Sequence, residues 1–154
     1  MGSRVAWTIL PLLALCGVGG LAWAGASWSG QPYILNIPAH LTGRGGTVNS
    51  TLTIDLAHDL PCSITISAPP NNAEVLTHGA ATLITKYKFS GQALAPGNAD
   101  ADWVDSSFFV GHVYSVQGNG GSDQFTLAVQ GTSPADRAVP AGTYTATLTL
   151  TVAW

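Results

Sequence analysis

The sequence predicts an all-β protein, an immunoglobulin-like antiparallel β-sandwich of about seven strands. Short runs alternate polar and apolar residues with the period of two that half-buried strands show. Glycine, proline, asparagine and aspartate separate these runs, and beyond residue 24 no helical period of useful length is present. Charged residues make up only 8% of the 154 residues, whereas apolar residues make up 46%. This composition suits an exported β-protein.

Residues 1–24 are predicted to be a signal peptide, and residues 25–154 a single domain. Arg4 precedes an apolar run over residues 5–21, and the small-x-small sequence Ala-Trp-Ala at residues 22–24 predicts cleavage near Gly25, with Ala-Gly-Ala at residues 24–26 as a second option. The alternative is an uncleaved anchor, because about 20 apolar residues can span a bilayer. With the signal removed, we expect a protein secreted to the periplasm or cell surface, with no membrane segment.

The predicted strands follow one another along residues 25–154. The first, YILNI at residues 33–37, lies between two prolines, which confine a strand to a sheet edge. The run TVNSTLTIDL (47–56) is followed by a short turn and by CSITISA (62–68), which predicts a hairpin. Further strands are predicted at residues 81–89, 107–116, 124–130 and 140–154. Residues 90–105 form the longest irregular stretch.

The last predicted strand, PAGTYTATLTLTVAW, alternates almost without exception. Threonines form one face: Thr143, Thr145, Thr147, Thr149 and Thr151. Apolar residues form the other: Tyr144, Ala146, Leu148, Leu150, Val152 and Trp154. One face should therefore lie on a core and the other in solvent.

An acidic loop, DADWVD, is the clearest candidate for a ligand site; its residues are Asp100, Asp102, Trp103 and Asp105. Carboxylates at this spacing would suit Ca²⁺, but calcium loops need more oxygen ligands and a turn glycine. A solvated loop is therefore expected. Trp103 would either fill a gap in the core or stack on a sugar.

Catalytic and cofactor motifs are missing from the sequence. It has no GxSxG elbow, no cysteine–histidine signature, no phosphate-binding glycine loop and no spaced histidines for zinc. We therefore expect no enzyme activity, no cofactor and no metal site. Five basic against eight acidic residues leave no footprint for nucleic acid. Cys62 is the one cysteine beyond the leader, and it would be either a buried thiol or the site of an intermolecular disulfide.

The C-terminal third, from FTLAVQ to the last residue, resembles the end of bacterial chaperone–usher pilus subunits, especially the archaic, spore coat protein U domain-like branch. Subunits of that branch close with a Pro-Ala-Gly-Thr-Tyr turn and an alternating strand with an aromatic end, which correspond here to residues 140–144 and the run to Trp154. The segment TLTIDLAHDLPCSITISAP is similar to the early hairpin of the family. Unlike most members, this chain cannot form a disulfide within the domain.

The resemblance implies a sandwich that lacks one strand and is completed by a donated strand. The partners would be identical or related subunits, a periplasmic chaperone and an outer-membrane usher. The groove would follow the apolar face from Tyr144 to Trp154. Residues 27–37, with Tyr33, Leu35 and Ile37 alternating, are the candidate donor strand or, equally, the domain's own first strand. A monomeric adhesin or carbohydrate-binding module using residues 90–105 is the alternative function.

Overall fold

The computed structural model describes residues 25–29, 37–39, 44–117 and 121–154, so the predicted signal peptide lies outside the described residues. The described chain is antiparallel β-structure with one short helix, which confirms the all-β prediction. Seven of the twelve strands have four residues or more. The strands are β1 (Ala26–Ser29), β2 (Ile37–Ala39), β3 (Thr47–His58), β4 (Cys62–Ser67), β5 (Thr77–His78), β6 (Ala81–Thr82), β7 (Ile84–Gly91), β8 (Val104–Asp105), β9 (Val113–Val116), β10 (Gly121–Thr132), β11 (Gly142–Tyr144) and β12 (Thr149–Ala153), and the helix is α1 (Ser106–Phe109).

Two sheets form the sandwich. One has five strands in the order β1-β3-β10-β7-β8, and the other has three in the order β12-β4-β9. Two short antiparallel pairs, β2 with β11 and β5 with β6, flank them. Because side chains alternate along each strand, the inner faces of the two sheets bury one shared core. Its fully buried members include Leu56, Ile64, Ile66, Phe89, Phe109, Tyr114, Phe125 and Tyr144.

Stacked aromatic rings occupy the middle of this core. Phe89 lies 4.8 Å from Tyr114 and 5.5 Å from Phe125, measured between ring centroids, and so joins the two sheets. The ring of Phe109 stacks on that of Tyr87 at 4.9 Å. Aromatic side chains bury more apolar area than any others, and offset contacts at these distances add to that gain. Among the residues described, no helix is long and apolar enough to cross a membrane.

The predicted hairpin between residues 47–56 and 62–68 is wrong. β3 pairs with β1 and β10, whereas β4 pairs with β12 and β9 in the other sheet. Residues 59–61 therefore carry the chain across the sandwich. His58 and Cys62, at the two ends of this crossing, are 2% and 7% exposed, so each enters the core from its own sheet. A short turn sequence such as Asp-Leu-Pro is compatible both with a hairpin and with a crossing between sheets, so the sequence does not distinguish them.

Two other strand boundaries differ from the prediction. The first part of the run at residues 107–116 is the helix α1, which buries Phe109 completely while Phe108 is 75% exposed. Gly111, with φ of 90°, then turns the chain into β9. Of the predicted strand at residues 33–37, only Ile37 is described, and it begins β2. The remaining residues of that strand lie outside the described ranges.

The Pro-Ala-Gly-Thr-Tyr segment forms the corner from which the C-terminal strand starts. Tyr144 is fully buried and donates its hydroxyl hydrogen to the Pro140 carbonyl at 2.8 Å. A buried tyrosine hydroxyl bonded to a backbone carbonyl a few residues upstream also fastens a strand corner in other β-sandwiches. A Cβ at Gly142 would lie 2.7 Å from the His78 ring, whose Nδ1 is 3.0 Å from the Thr143 carbonyl oxygen. A side chain at Gly142 would therefore displace the His78 ring, and Tyr144 fixes the corner by its hydrogen bond.

We expect Tyr144→Phe to lower the free energy of unfolding by about 1 kcal/mol, because it removes one buried hydrogen bond and leaves the Pro140 carbonyl without that donor. Urea denaturation measures the change. Thr143→Ala is the matched control, since Thr143 is an exposed neighbour whose truncation should change stability by less than about 0.5 kcal/mol. Equal stability of the Tyr144→Phe and Thr143→Ala variants would contradict the corner's role.

Candidate functional site: an open strand edge

The C-terminal strand has its pairing partners mainly on one side. β12 pairs with β4, with Leu150 opposite Ile66 and Val152 opposite Ile64. Upstream, Thr145 exchanges two backbone hydrogen bonds with Thr77, and the Thr147 amide donates to the Ala73 carbonyl at 2.7 Å. Because backbone groups alternate in direction along a strand, the even-numbered residues face the other side.

That other side is paired in the described residues only at its start. β2 pairs with β11 there, with Ile37 opposite Tyr144. Along β12 itself, within the described ranges, no strand pairs with the edge away from β4. An unpaired row of N–H and C=O groups is a template for another strand.

The apolar face of the C-terminal strand is incompletely covered. Its first residue, Tyr144, is buried, but Trp154 at the end is 49% exposed. Between them lie four half-buried residues, which we term the open stripe: Ala146, Leu148, Leu150 and Val152. Their neighbours on β4, Ile64 and Ile66, are 0% exposed. Among the described residues, the core is therefore closed over β4 and less completely covered at β12.

The threonine face behaves as the sequence predicts. All five threonines, Thr143, Thr145, Thr147, Thr149 and Thr151, are exposed. The strand thus presents an apolar face to the core and a hydroxyl face to solvent, and any strand added beside it would be drawn into the same alternation.

The described parts of the candidate donor segment pair within this chain. β1 pairs antiparallel with β3, with Ala26 opposite His58 and Ser29 opposite Asp55, and it also lies close to β12. Ile37, at the other end, lies in β2 opposite Tyr144. Tyr33 and Leu35 lie outside the described residues. This pairing is what a first strand of the domain itself would make, and donation to another subunit stays a prediction.

The acidic loop does not gather its carboxylates around one point. Asp100 Oδ2 accepts hydrogen bonds from the Phe89 amide and the Tyr114 hydroxyl, both at 2.8 Å. Asp105 is 3.3 Å from the Lys86 ammonium, and Asp102 is exposed. Trp103 is half-buried. Across residues 44–117 and 121–154, no group of three potential ligands is close enough to hold a metal ion.

One buried polar cluster has no signature in the sequence. His58 Nε2 is 2.7 Å from Asp123 Oδ2, and its Nδ1 is 3.1 Å from the Leu60 carbonyl oxygen. Cys62 is close by, and burial raises the pKa of its thiol, with the Asp123 charge as a smaller cause. A nucleophilic cysteine is activated by a lowered pKa or by an adjacent base such as an imidazole. Here both ring nitrogens face oxygens, so the cluster fastens β3 to β10.

His58 and Asp123 are 65 residues apart, and only the register of β3 against β10 brings them together. Cys62, at the start of β4, is a buried free thiol in this chain. No spacing rule would have found this pair.

Three of the four tyrosines should resist ionisation in alkali. Burial raises the pKa of Tyr87, Tyr114 and Tyr144 above the ordinary value, and the hydrogen bond to Asp100 adds to the effect at Tyr114. Tyrosine in the unfolded chain ionises near about pH 10. The stabilisation is therefore complete below that pH and is lost as the pH rises above it.

In a titration followed by phenolate absorbance and circular dichroism, we expect at most one tyrosine to ionise before the fold is lost. The other three should ionise together with unfolding. Ionisation of all four near about pH 10 with the β-sheet signal intact would contradict the burial of these hydroxyls.

Comparison with solved structures finds several similar chains. A structure described as that of a chaperone–usher pilus is similar over 96% of this chain and 98% of that chain, with a TM-score of 0.48 and 17% sequence identity. No protein-family profile matches the chain, and no curated protein matches it. At this level of identity, the similarity concerns the backbone fold alone.

Proposed function

We propose that this protein is a secreted structural subunit of a cell-surface pilus or filament, assembled by β-strand donation and without catalytic activity. The observation that supports it is the contrast across one pair of strands. Leu150 and Val152 are half-buried, although they lie directly opposite the fully buried Ile66 and Ile64. At the other edge of the same sheet, β9 buries its inner residues Tyr114 and Val116, so an edge position does not by itself leave inner residues exposed.

A strand added beside β12 would supply what the edge lacks. Its main chain would pair with the outward backbone groups, and every second side chain would cover the open stripe. Full burial of an aliphatic side chain contributes about 1.5–3 kcal/mol. Leu148, Leu150 and Val152 are already mostly covered, so completing their burial would add about 1–2 kcal/mol before the cost of association.

Residues 27–37 are the donor segment in this proposal. Ile37 already opposes Tyr144 within the chain, and the same antiparallel pairing between two chains would be an exchange of identical elements, which makes few new demands on the sequence. Tyr33 and Leu35 precede Ile37 at two-residue spacing, as alternate pockets require. A periplasmic chaperone would protect the edge before an outer-membrane usher assembles the subunits.

The test compares the mature chain, residues 25–154, with a variant lacking residues 27–37. The proposal predicts ladders on SDS gels of unboiled samples and fibres by negative-stain microscopy. The deletion variant should stay soluble but unassembled, and adding the deleted segment as a peptide should raise its melting temperature. A monodisperse mature chain, or a deletion variant that does not fold with or without the peptide, would contradict strand donation.

A further inference from the structure

The side of the sandwich opposite β12 is closed by one loop, which we term the edge loop (residues 92–103, between β7 and β8). On this side, the five-stranded sheet ends with β7 and the two-residue β8, which pairs with Lys86 and Tyr87, and the three-stranded sheet ends with β9. The edge loop hydrogen-bonds to both. In the described part of the chain, this treatment differs from that of β12, whose outer edge has no such cover.

At β7, a single aspartate takes the place of a strand. The Asp100 amide donates to the Phe89 carbonyl at 3.0 Å, and the Phe89 amide donates to Asp100 Oδ2 at 2.8 Å. These are the two hydrogen bonds that a residue pair exchanges in an antiparallel sheet, with a carboxylate oxygen in place of one backbone carbonyl. On either side, Leu94 donates to the Gly91 carbonyl at 3.3 Å, and β8 pairs with Lys86 and Tyr87.

At β9, an asparagine does the same. The Ser115 amide donates to Asn98 Oδ1 at 2.7 Å, and the Ser115 carbonyl accepts from the Ala95 amide at 2.9 Å. The Gln117 amide donates to the Ala93 carbonyl at 2.8 Å. Asp100 also accepts a hydrogen bond from the Tyr114 hydroxyl, so the residue that bonds to β7 is tied to β9 as well.

We propose that Asn98 and Asp100 are strand-terminating residues, whose side-chain oxygens accept hydrogen bonds from one amide each of β9 and β7 and so disfavour strand addition on this side of the sandwich, opposite β12. A side-chain oxygen satisfies the last amide of an edge but offers the next strand no regular row of backbone groups. The edge loop is thus an interaction-blocking surface and not a ligand site. The edge loop would block strand addition to β7 and β9 in a monomer whether or not β12 accepts a donated strand.

The partner excluded is another copy of this chain, pairing edge to edge. Phe89 and Ser115 lie in strands with apolar inner faces, and such strands associate readily once their edges are bare. The surface of the loop is weakly charged, with Asp102 exposed, so charge alone would not keep copies apart.

The variants Asn98→Ala, Asp100→Ala and the double variant test this, with Asp100→Asn as the variant that keeps an acceptor and Asp102→Ala as the exposed control. Amide hydrogen exchange is measured on the mature chain at low and high protein concentration. At low concentration, we expect exchange at Ser115 in Asn98→Ala and at Phe89 in Asp100→Ala to rise at least tenfold. At high concentration, this protection should return as the variants associate, and thioflavin binding should follow.

Unchanged exchange at both amides would overturn the proposal, and so would faster exchange without association. If Asp100→Ala does not fold, Asn98→Ala tests the β9 edge by itself. The two proposals are tested separately, because the deletion of residues 27–37 leaves the edge loop intact. If the edge-loop variants associate while amide exchange at β12 is unchanged, their association does not depend on strand donation.

Discussion

Leu150→Lys should abolish filament assembly, whereas Thr151→Lys should leave it intact. Leu150 belongs to the open stripe, and a donated strand would cover it completely. A lysine there would have to lose the hydration of its charge when the strand is added, and no opposite charge is available in the apolar core beside it. Thr151 is exposed on the solvent face, where a lysine stays hydrated in either state.

The matched pair separates assembly from stability. In the free subunit, the introduced lysine side chain can reach water past the half-open edge, so we expect Leu150→Lys to fold with a lowered melting temperature. Fibre length by microscopy and the gel ladder give the readout for both variants. Fibres of normal length from Leu150→Lys would show that the open stripe is not the assembly surface.

Phe109→Ala should lower the free energy of unfolding by about 3–5 kcal/mol, and Phe108→Ala should change it by less than about 0.5 kcal/mol. Phe109 is 0% exposed and stacks on Tyr87, so truncation leaves a cavity between the sheets. Its neighbour Phe108 is 75% exposed and loses little on truncation. The same substitution one residue apart thus measures burial alone.

A loss of this size is a large part of the about 5–15 kcal/mol that stabilises a typical domain, so Phe109→Ala should unfold at much lower denaturant concentration. Denaturation followed by tryptophan fluorescence gives both values. Similar midpoints for the two variants would contradict the position of α1. Loss of solubility in Phe108→Ala alone would indicate that the exposed ring has a partner.

Alternation in the sequence was sufficient to assign inward and outward faces wherever a strand was regular. Thr85, Tyr87 and Phe89 all lie on the buried side of β7, and the five C-terminal threonines all lie in solvent. The period of two records which face meets the core, and that information is local. The turn before Cys62, by contrast, predicts a hairpin that the structure lacks, because a turn sequence does not specify which sheet the next strand joins.

The apolar face of the last strand was also determined by the sequence alone, from Tyr144 to Trp154. Only the tertiary structure decided that this face is half-covered, because exposure depends on whether a neighbouring strand is present. The same holds for Asp100, which the sequence places in a loop expected to be solvated, whereas in the fold its carboxylate accepts hydrogen bonds from the Phe89 amide and the Tyr114 hydroxyl. Local pattern determines a residue's direction, whereas long-range register determines what it meets there.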